Sequence, residues 1–149
     1  MGFRPQHSTN HALTMFSTDI VKKLNIKHAT VACFIDVEKT FDTVWIEALI
    51  YKMKNCYSFP NYLYCLIHSF LTNRTFTVCN NDEQSEVYNI AAGVPQGSIL
   101  GSVLYNIYLA DLPEPPPGVN IICYADDIVT YTSGSKLNSM CSTLNLYLE

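Results

Sequence analysis

Charge is scarce in this sequence. Asp, Glu, Lys and Arg make up only 15% of its 149 residues, against 48% hydrophobic residues. Disorder needs the reverse balance and is excluded. Glycine (6) and proline (7) are too few for a collagen-like chain, and no heptad pattern is sustained, which excludes a coiled coil. A run of roughly eighteen apolar residues, the least that spans a bilayer, is also missing. The opening Met1-Gly2-Phe3-Arg4-Pro5-Gln6 has no apolar signal-peptide core, and Gln6 breaks the myristoylation pattern. Basic residues are in deficit, 9 against 13 acids, for a net charge of −4. Taken alone, that balance argues against a nucleic-acid partner. Six cysteines are present, yet none forms a Cys-x-x-Cys pair, and His7, His11, His28 and His68 complete no zinc pattern. The expectation is six reduced thiols in an intracellular protein, cytoplasmic or nuclear and not secreted.

What is present is a chain long enough for a core, with alternating helical and strand-like patterning. Leu13, Phe16, Ile20 and Leu24 form a helical stripe behind the cap candidates Ser8-Thr9-Asn10. Ala29–Ile35 is a short β-branched run that reads as a strand buried on both faces. Phe41, Val44, Trp45, Ala48, Leu49 and Lys52 predict an amphipathic helix of about four turns. A further helix follows Pro60. Thr75–Val78 and Glu86–Ile90 predict a hairpin turning on Asn80-Asn81-Asp82-Glu83. The Gly93-Val94-Pro95-Gln96-Gly97-Ser98 loop opens a helix carrying Leu100, Val103, Leu104 and Ile107, which a proline-rich connector ends. Val119–Ala125 and Ile128–Thr132 predict a hairpin with Asp126-Asp127 at its turn, before a terminal helix with Met140 and Leu144. This order is an α+β arrangement with no linker dividing it.

Two apolar strands thus end in acid: one at Asp36, the other at Asp126 and Asp127. Each alone reads as ordinary turn chemistry. If the strand and the hairpin are sheet neighbours, three carboxylates meet at one edge. Two such charges ~4 Å apart repel by about 4 kcal/mol at an effective dielectric of ~20. Three such pairs rival a fold's whole stability of roughly 5–15 kcal/mol. The group must protonate, splay apart or hold cations. All-oxygen ligation suits Mg²⁺ or Mn²⁺ better than zinc. Two ions about 4 Å apart can clamp an in-line phosphoryl displacement, so nucleotidyl transfer or phosphodiester hydrolysis is the implied chemistry.

At these residues the chain resembles the reverse transcriptases of non-LTR retrotransposons of the LINE or jockey-like type. Gly2-Phe3-Arg4-Pro5-Gln6-His7-Ser8-Thr9 is similar to the family's fingers-to-palm motif. Phe34-Ile35-Asp36-Val37-Glu38-Lys39-Thr40-Phe41-Asp42 and Tyr124-Ala125-Asp126-Asp127 resemble its two catalytic motifs. Ala92–Leu100, continuing through Leu104–Tyr108 to Asp111-Leu112-Pro113, resembles its nucleotide- and template-positioning motif. The ordered set covers almost the whole chain, and it is far more specific than a lone Tyr-Ala-Asp-Asp.

The resemblance implies an incomplete polymerase palm, a ferredoxin-like antiparallel sheet backed by helices, with a small piece of fingers. Residues 1–28 would be the fingers-to-palm segment and 29–149 the palm, with upstream fingers, downstream thumb and endonuclease segments of a longer polyprotein missing. It implies RNA-directed DNA polymerisation with an RNA template, a DNA primer and dNTP, and no membrane partner. Two Mg²⁺ ions, for which Mn²⁺ could substitute, would be held by Asp36, Asp126 and the Val37 carbonyl, with Asp127 completing the cluster. Strand alternation alone would send Asp126 and Asp127 to opposite faces, so only the turn could let both approach the metals. Phe41 would be the steric gate against a 2′-hydroxyl. The amides of Lys39 and Thr40, near a helix start, would face triphosphate oxygens. Gln96 and Gly97 would meet the nucleotide, and Arg4, Gly93, Pro95 and Tyr124 the template or primer. Asp42 and Asp111 read as structural. Thr40, where Ala is usual, and Ser102, where Pro is usual, depart from the pattern. Three rivals stand beside this reading: an inactive transposon-derived remnant that binds RNA or protein at most, an RNA-copying palm enzyme, and a structural or metal-storage protein.

Overall fold

The structure, a computed structural model, describes residues 8–149. It is mixed α+β with antiparallel sheets and five α-helices among the described residues. The residues gather into two compact units. One comprises the described residues up to Glu38 together with Leu112–Glu149; the other is Lys39–Asp111.

The first unit is a three-stranded antiparallel sheet. Its strands are β1 (Ala29–Ile35), β6 (Val119–Tyr124) and β7 (Asp127–Gly134), in the order β1-β7-β6. β7 is central and buries Ile128, Thr130, Tyr131 and Thr132. β1 is therefore an edge strand, not one buried on both faces, and Phe34 on it is 72% exposed. The apolar run predicted a strand correctly but could not show how many neighbours flank it. Helix α1 (Thr9–Asn25) starts at Ser8, whose Oγ accepts from the His11 amide. It lies on the sheet face that bears Phe34 and Tyr131, where Phe16 meets both rings edge-on at 5.9 and 5.0 Å. Only Phe16 and Ile20 of its predicted stripe are even half-buried. The terminal helix α5 (Leu137–Leu148) packs on β1 and β7 and buries Met140 and Leu144.

The second unit is built on α2 (Ile46–Tyr51), α3 (Asn61–Leu71) and α4 (Gly101–Tyr108). Its core is Val44, Ile46, Leu49, Met53, Ile67, Leu71, Val94, Leu104 and Tyr105. α2 runs on into a π-helical turn, Lys52–Cys56. The four-turn helix read from Phe41 onward thus begins later, at Ile46. The reason lies in the backbone. The Phe41 and Val44 carbonyls accept from the Val94 and Gly93 amides, so they are not committed to the next helical turn. The expected hairpin is present: β2 (Arg74–Phe76) pairs with β5 (Tyr88–Ile90), and β3 (Cys79–Asn80) with β4 (Glu83–Gln84) inside it. Lys52 Nζ clamps the end of α4 by donating to the Tyr108 carbonyl and to Asp111 Oδ1, the latter at 2.6 Å.

Candidate active site

The acidic site is made by strand register. Ile35 of β1 faces Ile128 of β7, and Tyr124 of β6 faces Asp127 of β7. Asp36 is one residue beyond Ile35, and Asp127 one before Ile128. In an antiparallel ladder those two positions fall opposite each other on the same face. The predicted turn is tight, but its two residues are Ala125 and Asp126, with Asp127 already in the strand. Ala125 holds the turn with a φ of 52°, a left-handed conformation that an alanine adopts at a cost.

Alternation then sorts the side chains. Phe34 and Asp36 from β1, Val129 and Asp127 from β7, and Ile122 and Tyr124 from β6 share the face beneath α1. There they line a cavity of about 360 Å³ closed by Thr9, Ala12, Leu13 and Phe16. Its walls are apolar, with two carboxylates at one end. Of the sequence-predicted residues, Asp36, Asp127 and Tyr124 come together on this face. Asp126 is half-buried in the turn and is not among the lining residues.

Divalent-ion binding can be judged from this donor set. Asp36 and Asp127 are exposed, so water screens their repulsion. Among the described residues no Lys, Arg or His lies within ion-pair distance of Asp36, Asp126 or Asp127. Uncompensated all-oxygen donors fit a hard divalent cation. No group of three acidic, histidine or cysteine side chains among the described residues is gathered tightly enough to enclose one. The fit thus rests on Asp36 and Asp127, with Asp126 and the Val37 carbonyl next to them in the chain.

The second unit carries the other predicted residues. Phe41 is half-buried and its ring leans on buried Tyr105, centroids 5.3 Å apart at 38°. Lys39 and Thr40 are not near a helix start, which corrects that expectation. They begin a turn closed by Asp42 and Thr43 amides donating to the Lys39 carbonyl, and Lys39 has a φ of 52°. The loop after β5 is stitched to this turn by the Gly93–Val44 and Val94–Phe41 hydrogen bonds of 2.8 and 2.7 Å. Gly93 is buried with a φ of 84°, and a Cβ there would sit 2.7 Å from the Asp42 backbone. Its glycine is thus required by its own chain. Gly97, exposed with a φ of 78°, has open space around it. Gln96 Nε2 donates to Asp42 Oδ1 at 3.1 Å, a link that gives the supposedly structural Asp42 a part in holding the loop. Pro95 is half-buried in the same loop. Arg4 lies outside the described residues.

One participant escaped the sequence reading. Arg74 donates through Nε to the Leu71 carbonyl at 2.8 Å, and through Nη2 to the carbonyls of Ala92, at 2.9 Å, and Gly93. It stands in the Asn73-Arg74-Thr75 stretch, which reads as a plain turn, and no periodicity marks it.

Comparison with known proteins agrees with these motifs. The sequence profile of the reverse transcriptase (RNA-dependent DNA polymerase) family matches residues 1–147. The chain is similar to the RNA-directed DNA polymerase from mobile element jockey, 37% identical in Drosophila melanogaster and 38% in Drosophila funebris. It is also 36% identical to the probable RNA-directed DNA polymerase from transposon BS of Drosophila melanogaster. Each match covers 99% of this chain but 17% of the relative's length. The profile match over nearly all residues, with both acidic motifs at the ends of paired strands, shows that the chain belongs to the reverse transcriptase family.

Proposed function

We propose that this segment is the palm, with a short fingers-to-palm stretch over about residues 1–28, of a longer RNA-directed DNA polymerase. The observation that carries the reading is the placing of Asp36 and Asp127 opposite each other on one sheet face, free of any cationic partner among the described residues. The reaction is addition of a dNTP to the 3′-hydroxyl of a DNA primer on an RNA template. Upstream fingers, a downstream thumb and endonuclease segments of a longer polyprotein supply the basic grip on phosphates that a net charge of −4 lacks.

Asp36, Asp126 and Asp127, with the Val37 carbonyl, would hold two divalent ions, Mg²⁺ or in its place Mn²⁺. When bound, such ions lower the pKa of the attacking hydroxyl and neutralise charge on the transferring phosphoryl group. The chain's own residues do the rest. Phe41 blocks the space a 2′-hydroxyl would need. The Gln96 amide, oriented by Asp42, meets sugar or phosphate, and Gly97 leaves room for that approach. The backbone amides of Lys39 and Thr40 face the triphosphate oxygens from a turn. Tyr124, Pro95 and Arg4 contact template or primer, while buried Gly93 serves the loop that carries Pro95 and Gln96.

Single-nucleotide primer extension tests this reading. In the full-length polymerase, Asp36→Ala and Asp126→Ala each reduce incorporation at least about 10³-fold, the order expected when a transition-state charge loses its counter-ion. Activity within tenfold of wild type in either variant overturns the ligand assignment.

A further inference from the structure

Three groups in the second unit converge on the loop after β5. The Gly93 and Val94 amides fix the carbonyls of Val44 and Phe41. Arg74 fixes the loop from the other side, through the carbonyls of Ala92 and Gly93. Its Nε meanwhile holds the Leu71 carbonyl in the last turn of α3. Gly93 thus accepts from Arg74 and donates to Val44 at once, and the next amide holds Phe41. A rigid fork of donors is tied to a helix end, the helix end to a loop, and the loop to the backbone of the gate residue.

We propose that Arg74 is a positioning residue for nucleotide-sugar selection. Its guanidinium sets the place of the Gly93-Val94 peptide, and that peptide sets the place of Phe41. The inference rests on reading Phe41 as the gate. Arg74 is suited to this task because its planar head presents donors in fixed directions, so carbonyls on two elements are held at one spacing. A lysine in its place keeps the charge but offers a point donor on a flexible stem, which cannot bridge α3 and the loop together. Phe41 rests on Tyr105 on one side. Freed from Arg74, its backbone gains play on the other. A gate discriminates by sub-ångström crowding, so this play admits the 2′-hydroxyl.

The test compares Arg74→Lys and Phe41→Val with wild type in the full-length polymerase. Two quantities are read: the ratio of dNTP to rNTP incorporation efficiency, and hydrogen exchange by mass spectrometry across residues 39–111. Phe41→Val is expected to lower the ratio at least tenfold, which checks the gate reading by itself. Arg74→Lys is expected to lower it about tenfold as well, with faster exchange confined to residues 92–97 and neighbours of Phe41. An unchanged ratio in Arg74→Lys, with Phe41→Val relaxed, overturns the role of Arg74 and leaves the gate intact. An unchanged ratio in Phe41→Val overturns the gate and the inference with it. Faster exchange throughout 39–111 in Arg74→Lys makes Arg74 a residue of the fold at large and also overturns the inference.

Discussion

Ala125 carries the tightest local demand of the acidic site. It sits between Tyr124 and Asp126 with φ at 52°, where a β-carbon crowds the following carbonyl. Glycine would relieve that crowding at the cost of a more flexible unfolded chain. Ala125→Gly is expected to raise stability by about 0.5–1 kcal/mol, read as a higher urea midpoint with an unchanged m-value. The same change loosens the turn that holds Asp126 and Asp127, so the gain should come with slower primer extension. Strain at a functional turn behaves in this way when the strained geometry serves the chemistry. The acid residues themselves were legible in the sequence, because two apolar runs end in Asp and, although each alone is ordinary turn chemistry, the two together with their motifs are not. Which acid meets which was not legible. It depends on whether the two-residue turn takes in Asp127, and one residue of register decides the face.

Between elements, the α1–sheet contact turns on Tyr131. This residue is 3% exposed and its hydroxyl donates to Asp19 Oδ2 at 2.8 Å. Burial first, then the hydrogen bond and the charge of Asp19, push its phenol up to about 12. The folded chain therefore keeps a proton that the unfolded chain gives up near pH ~10. The contribution of this group is whole below that pH and is lost as pH rises through about 12. The urea midpoint should fall across this window, and Tyr131→Phe should remove its share of the fall. At neutral pH the same variant should lose about 1–2 kcal/mol with the hydrogen bond to a carboxylate. Elements of this size were readable from periodicity: α1, α3, α4, α5 and the three strands of the sheet stand where the pattern put them, within a few residues. The misreading at residues 41–45 has a clear source. A helical stripe of apolar residues is visible in sequence, but the competing claim of Gly93 and Val94 on the Phe41 and Val44 carbonyls comes from fifty residues away. Arg74 went unseen for the same reason, since its partners are carbonyls and carry no side-chain signature.

For the molecule as a whole, the acidic balance and the polymerase motifs point in opposite directions until the length of the relatives is considered. The chain spans 17% of the length of those proteins, and the net charge of −4 is that of these 149 residues alone. No helix among the described residues is long and apolar enough to cross a membrane. The polymerase reading requires that the carboxylates of Asp36, just past β1, and Asp127, at the start of β7, share a divalent ion. Mn²⁺ binding followed by electron paramagnetic resonance of the free ion reads that claim without requiring catalysis. Asparagine substitutions at 36 and 127 keep the shape of the side chain, and removing one of two neighbouring like charges should not lower thermal stability. The expected result is that the wild-type chain depletes free Mn²⁺ and that Asp36→Asn and Asp127→Asn each weaken this at least tenfold. Equal depletion by wild type and both variants would contradict the account.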